Sequence, residues 1–398
     1  MRFIFTLLVV VLLVGCEATP INNAANIKTK QKLNSNLSLP IALPIAFHVD
    51  RTVPEKKVNF IGKLEEAAQL VTSDFFISSE KLNSTTKFAY LVKLKAISDW
   101  DYAWGGWNSN FHMTMLDHEG NIIFQKNIKA NASGTGGLYD FNAVYNAFAK
   151  ATKELLIEFL NQNYAQIDKY VSSQSSILKA RKPIKTFFHD LKPINSGTGF
   201  YINKSGELIT AAHVIDECIY YETQFKGQRF DAELVSKSNL LDVAVLKTKH
   251  NNSHSATFNV EDQISLGKQV FTTGYPLAGI LADYPSLTMG NISSLGGLKG
   301  AQGYFQYSIP IQPGNSGGAI IDFKGNLAGM VTSSLNQVMM LKNSGTTSQN
   351  VNFGIRANLL KRYLNKNNVT YEVSENSAQF EKASADATEY STQVLCYK

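Results

Sequence analysis

From Val58 to Val71 the stretch VNFIGKLEEAAQLV places apolar residues at three- and four-residue intervals, the spacing of one face of an α-helix. The next segments change period. KFAYLVKLKAISDW and FHMTMLDHEGNIIFQKNIKA alternate apolar and polar residues as half-buried strands do, and His118-Glu119-Gly120-Asn121 breaks the second as a hairpin turn would. Phe141 to Asn163 returns to helical spacing and predicts a long amphipathic helix. Helix, strands and helix together predict an α+β domain over residues 56–168. Residues 169–182, polar and carrying SSQSS and KARKP, read as a linker. From 183 to 365 the pattern becomes short alternating strands separated by Gly, Asn and Pro, which predicts an all-β C-terminal domain, a sandwich or barrel. Residues 366–398 read as a C-terminal tail.

The first residues, MRFIFTLLVVVLLVGCEATP, follow a different logic. Arg2 supplies a positive start, and Phe3 to Val14 form an apolar run too short to span a bilayer, so residues 1–15 read as an export signal. Leu13-Val14-Gly15-Cys16 resembles the lipobox of bacterial lipoproteins, which implies that the Cys16 thiol carries diacylglycerol and begins the mature chain. Ordinary secretion with cleavage after Ala18 is the alternative. Glu17, rather than Asp, after the cysteine implies the outer membrane, facing the periplasm; a secreted or periplasmic protein is the other reading. Residues 16–55, rich in Asn, Thr, Lys and Pro, read as a tether in which LPIALPIAF is an apolar interruption that packs on the next domain.

Composition narrows the classes. With 44% hydrophobic and 18% charged residues over 398 positions the chain is globular, and a formal charge of +6 is mild. There is no Lys/Arg run interleaved with aromatics, which argues against nucleic acid as a partner. If Cys16 is lipidated, Cys218 and Cys396 remain, and an exported compartment permits them to pair. One disulfide would pin the tail to the domain carrying Cys218; two unpaired thiols are the alternative. Trp100, Trp104 and Trp107 cluster in DWDYAWGGW, as packing residues or as a stacking surface, and Asp99 and Asp101 beside them form an acid pair or a solvated loop. His48, His112, His118, His189, His250 and His254 lack metal-ligand spacing and read as surface residues, so neither a metal nor a cofactor is expected.

Candidate chemistry lies in the all-β region. SGTGFYINKSGELITAAHVID reads as a hairpin whose second strand ends just before His213. NLLDVAVLK places Asp242 at the edge of an apolar strand, where a carboxylate can orient an imidazole. IQPGNSGGAI then offers Ser316 among glycines. Serine is a poor nucleophile alone; it needs a base to take its proton and a third group to fix the base's tautomer. All three residue types are present, and glycines let the N–H groups of Gly314 and Ser316 turn toward one point as an oxyanion hole.

These motifs, with GYPLAG, SLTMGNISSLGG, QYSIPIQPGNSGGAI and NVNFGIRANLLKRYL, resemble the HtrA/DegP-type trypsin-like serine peptidases over about 195–364. The resemblance implies a double β-barrel with the site between the barrels, His213 and Asp242 on the first and Ser316 on the second. It implies a substrate pocket near Ile309, Ile311, Val331 and Ser334, suited to a modest aliphatic side chain. Asn315 stands where digestive peptidases have Asp, and the residues after Leu364 are too few for the PDZ domain that most HtrA proteins carry. The expected function is a membrane-anchored serine endopeptidase acting on exported proteins or peptides. The alternative is a lipoprotein in which the peptidase fold is latent or a scaffold for a partner. An esterase fits less well, because GNSGG differs from the Gly-x-Ser-x-Gly elbow.

Overall fold

The computed structural model describes residues 18–50, 61–101, 106–132, 141–188, 192–260, 264–276, 284–334, 350–375 and 377–397. The export signal and Cys16 lie outside the described residues, as does Trp104. The chain divides into two compact units, residues 1–189 and 190–398.

The first unit is an α+β layer structure. Its strands are β1 (Ile41–Val49), β2 (Phe76–Lys81), β3 (Tyr90–Asp101), β4 (Gly106–Asp117) and β5 (Ile122–Ala132). Its helices are α1 (Ile61–Phe75), α2 (Phe141–Gln162), α3 (Tyr164–Ser172) and α4 (Gln174–Ala180). The strands form one sheet in the order β2-β1-β3-β4-β5. β1 runs parallel to both its neighbours, while β3, β4 and β5 are antiparallel. The β4–β5 turn forms because the Asp117 carboxylate accepts the N–H groups of Glu119 and Asn121, with Gly120 at φ 89°. α2 buries Val144, Phe148, Ala151, Leu155 and Phe159, the helical face read from the sequence.

Three expectations differ from what is found here. LPIALPIAF supplies an inner strand of the sheet rather than part of a tether; one face is buried throughout and the other only in part, but both faces carry apolar residues, so the sequence reads as a continuous apolar run instead of an alternating one. Residues from Ala18 to Leu37 are also folded onto the core, strapped along α2. Asn146 accepts the Ile21 N–H at 2.8 Å and donates to the Thr19 carbonyl at 2.9 Å; Asn161 accepts the Asn34 N–H at 2.8 Å and donates to the Lys32 carbonyl at 3.0 Å. The expected linker 169–182 is largely helical, with Ile167 and Ile177 of α3 and α4 buried in the core. The chain continues to Phe187 and Phe188, which pack on Phe88 and His48, and the division falls after residue 189.

In the second unit the strands are β6 (Asn195–Tyr201), β7 (Glu207–Thr210), β8 (Tyr220–Phe225), β9 (Gln228–Ser238), β10 (Val243–Thr248), β11 (Thr257–Phe258), β12 (Gln269–Gly274) and β13 (Ser286–Ser294). They continue with β14 (Tyr304–Tyr307), β15 (Ala319–Asp322), β16 (Asn326–Ser334) and β17 (Asn352–Arg356). α5 (Ala357–Lys366), β18 (Glu372–Val373), α6 (Phe380–Tyr390) and β19 (Ser391–Tyr397) complete it. Two closed barrels result. The first has the order β10-β7-β6-β19-β8-β9. The second closes through β15-β12-β13-β14-β17-β16, with β11 and β18 added to the β16 edge. The double barrel and the N-terminal α+β unit are the architecture expected from the sequence.

The segment expected to be a tail is instead structural. β19 pairs antiparallel with β6 and β8, Val394 facing Gly197 on one side and Thr223 on the other. All its residues are buried. Cys396 on this strand is disulfide-bonded to Cys218, with Cα atoms 5.5 Å apart. The Ser391 and Thr273 hydroxyls, 2.6 Å apart, tie β19 to the second barrel. No described helix is long and apolar enough to cross a membrane.

Candidate active site

His213 sits in a single 3-10 turn, Ala212–Ile215, that follows β7. Ala212, Val214 and Ile215 are buried, so the turn is anchored by its apolar residues and lifts the imidazole outward, its side chain 49% exposed. The Asn195 amide donates to the His213 and Val214 carbonyls at 3.3 and 3.1 Å and holds the turn from beneath.

Asp242 ends the turn between β9 and β10, at φ 55°. Asp is among the few side chains that adopt this left-handed conformation readily. Its carboxylate accepts the His213 backbone N–H at 2.9 Å and lies 2.8 and 3.1 Å from ring Nδ1. A carboxylate can only accept, so Nδ1 carries the proton and Nε2 presents its lone pair. Tyr304 of β14 reaches across from the second barrel and donates to the Leu241 carbonyl at 3.4 Å. Burial, and then the neighbouring Asp242 charge, push the Tyr304 hydroxyl above its ordinary range, so it stays a neutral donor.

Ser316 lies in the loop between β14 and β15, half-buried. The backbone here is fixed from both sides. Gly318 donates to the Asn315 carbonyl at 3.0 Å, Gly317 to the Val331 carbonyl at 2.8 Å, and Asn315 to the Gln312 carbonyl at 3.0 Å. From the first barrel, the Thr198 N–H reaches the Ser316 carbonyl at 2.9 Å and the Thr198 hydroxyl reaches the Gly314 carbonyl at 2.7 Å. Gly314 has φ 101° and Gly317 φ 85°, conformations suited to glycine. A Cβ on Gly317 would also come within 2.2 Å of the Thr198 carbonyl. The N–H groups of Gly314 and Ser316 donate to no acceptor among the described residues.

His213 and Asp242 are therefore in direct contact, and the Ser316 loop and the His213 turn pack on the same strand, β6. A Cβ on Gly197 would meet Val214 Cγ2 at 2.4 Å and the Ser316 carbonyl at 3.0 Å, so the loop and the His213 turn are both packed against one glycine. Among the described residues, Ser316 Oγ makes no hydrogen bond. Of the pocket residues, Ile309 and Val331 are fully buried in one apolar cluster, while Ile311 lies at its edge and is partly exposed. The side chain of Ser334 lies outside the described residues. Thr198 and Tyr304 were not singled out from the sequence. Both act across the two barrels, a relationship that sequence spacing does not carry.

Part of the chain is similar to known proteins. The family model of the trypsin-like peptidase domain matches residues 197–330. An uncharacterized protein, y4bJ, of Sinorhizobium fredii is 36% identical over 205 residues, which is 51% of this chain and 32% of that protein. A probable periplasmic serine endoprotease, DegP-like, of Chlamydia muridarum is 30% identical over 141 residues, 34% of this chain and 28% of that protein. The serine endoprotease DegS of Haemophilus influenzae is 29% identical over 174 residues, 43% of this chain and 50% of that protein. The chain thus spans between 28% and 50% of the length of these relatives.

Proposed function

We propose that this trypsin-like peptidase domain, similar to those of the DegP and DegS proteins, works as a serine endopeptidase on exported proteins or peptides, held at the membrane through a lipidated Cys16. The observation that carries the reading is the Asp242 carboxylate gripping His213 at both its N–H and its Nδ1, which leaves an exposed Nε2 to act as base. Ser316 Oγ attacks the substrate carbonyl as Nε2 takes its proton, and the imidazolium so formed is stabilised by Asp242. The tetrahedral oxyanion accepts the two N–H groups of Gly314 and Ser316. His213 then returns the proton to the leaving amine, and water repeats the sequence on the acyl-enzyme.

Labelling by a fluorophosphonate and cleavage of unfolded casein are expected for the wild type and absent in Ser316→Ala. A wild type that is inert and unlabelled under several conditions would sink the reading. The second reading, a latent or scaffolding peptidase fold, is favoured by Ser316 Oγ lacking a bond to His213, since such loops tighten when a ligand arrives. It expects labelling only after a peptide is added. The anchor in the outer membrane, facing the periplasm, is tested by fractionation of cells expressing wild type and Cys16→Ala; release of the wild type with soluble periplasmic proteins would reject it.

A further inference from the structure

Thr198 stands on β6, is fully buried, and directs both of its donors, the N–H and the hydroxyl, at carbonyls of the Ser316 loop. Its N–H donates to the Ser316 carbonyl at 2.9 Å, and its hydroxyl donates to the Gly314 carbonyl at 2.7 Å. The same hydroxyl accepts the Tyr275 N–H at 3.0 Å, and the Thr198 carbonyl accepts the Thr210 hydroxyl at 2.8 Å. A hydroxyl has one proton, so the bond to Gly314 commits it.

We propose that Thr198 is a positioning residue for the oxyanion hole: it pins the carbonyls of Gly314 and Ser316 so that the N–H groups of those two residues stay turned toward the substrate. This rests on the peptidase reading above. Gly314 is the weak point of the loop, because a glycine at φ 101° exchanges easily with other conformations. Fixing its carbonyl removes that freedom. Without the hydroxyl, a half-buried carbonyl loses its partner; turning the Gly314–Asn315 peptide to find another strains the Asn315 N–H bond to the Gln312 carbonyl and, through the shared Cα atoms, tilts the two flanking peptides that carry the Gly314 and Ser316 N–H groups. The Tyr275 N–H is left without an acceptor by the same change.

Loss of one oxyanion donor in serine peptidases lowers kcat by about 10²–10³-fold, and a tilted donor costs less, so Thr198→Val is expected to lower kcat by about 10–100-fold. KM should stay within about threefold, because the donors act in the transition state and not on the bound ground state. Thr198→Ser keeps the hydroxyl and should recover kcat to within about threefold of wild type, while Thr198→Ala should resemble Thr198→Val. The experiment measures kcat and KM of the full chain on labelled casein, with active sites counted by fluorophosphonate so that misfolded protein drops out. A wild-type kcat in Thr198→Val overturns the proposal, as do equal losses in the Ser and Val variants, which would show that keeping the hydroxyl does not protect the activity and that the effect lies in packing at this position. If Thr198→Val does not fold, the comparison of Ser with Ala decides by the same criteria. An inert, unlabelled wild type overturns the peptidase reading and this proposal together; an active wild type with an equally active Thr198→Val overturns this proposal alone.

Discussion

Asp242 holds His213 by two different bonds, one to the backbone N–H at 2.9 Å and one to the ring Nδ1 at 2.8 Å. The first fixes where the 3-10 turn sits; the second fixes which nitrogen carries the proton. Because the two functions belong to different atoms of His213, substitutions at position 242 separate them.

Asp242→Asn keeps an oxygen to accept the backbone N–H and tolerates the left-handed backbone. Its amide cannot stabilise an imidazolium, and it favours the wrong tautomer, so kcat on casein is expected to fall by roughly 10³–10⁴-fold. The thermal midpoint should hardly change. Asp242→Ala loses the backbone acceptor as well and should be destabilised by about 1–2 kcal/mol in denaturant unfolding. A kcat for Asp242→Asn within tenfold of wild type would remove Asp242 from the machinery.

The parts of the site legible in the sequence are those with local causes. The Ser316 loop is marked by its glycines, and His213 and Asp242 by their places at the ends of apolar strands. β19 was not legible. STQVLCY begins with three polar residues, all buried, and two of them are matched to groups that the local pattern does not reveal: Thr392 donates to the Gln224 carbonyl and Ser391 to the Ala387 carbonyl of α6. β1 failed for the opposite reason, since a strand apolar on both faces shows no alternation. The strap of residues 18–37 has the composition of a linker, and its bonding partners Tyr145, Asn146, Lys153 and Asn161 lie far away on α2. Hydrophobic period reports which face of an element is buried, not which polar groups will find one another.

The disulfide ties β19 to the segment that leads into β8 across a sequence separation of 178 residues. Removing a link of that kind costs about 2–5 kcal/mol in the unfolding free energy. For a domain near this size that corresponds to a fall of about 4–20 °C in thermal midpoint for the Cys218→Ser, Cys396→Ser double variant. Adding a thiol reductant to the wild type should reproduce the shift, and leave the double variant unmoved. A midpoint insensitive to both changes would mean that β19 is held in place by its ladders to β6 and β8 alone.

The strap along α2 gives a separate test in the first unit. Lys28, Lys30 and Lys32 lie between the Asn146 and Asn161 clamps, and an ordered backbone there resists proteolysis. Asn146→Ala with Asn161→Ala removes four hydrogen bonds to the strap, each worth about 1 kcal/mol. Digestion of the full chain with limiting trypsin should then cut after these lysines about tenfold or more faster than in wild type, while peptidase activity is unaltered. Equal cutting rates would show that the apolar contacts of Ile21, Ile27 and Leu33, with the Tyr145 and Lys153 bonds to the Ile21 and Ala24 carbonyls, suffice to hold the segment.

His250, expected on the surface, packs its ring against Phe225, Phe230 and Tyr201 in the first barrel, with a buried Nε2 that has no partner among the described residues. Burial pushes its pKa below the ordinary value. The folded state therefore binds this proton less readily than the unfolded chain. The resulting stabilisation is present above the unfolded value of about 6.5 and is lost as pH falls below it toward the folded one. Thermal midpoints of the wild type should drop between about pH 7.5 and about pH 5, and those of His250→Phe, which keeps an aromatic ring without a titrating group, should drop less over the same interval. The gap between the two curves should open only below about pH 6.5, where protonation of the unfolded imidazole begins to compete. Parallel curves across the whole interval would assign the acid sensitivity to other groups and leave His250 with a packing role alone.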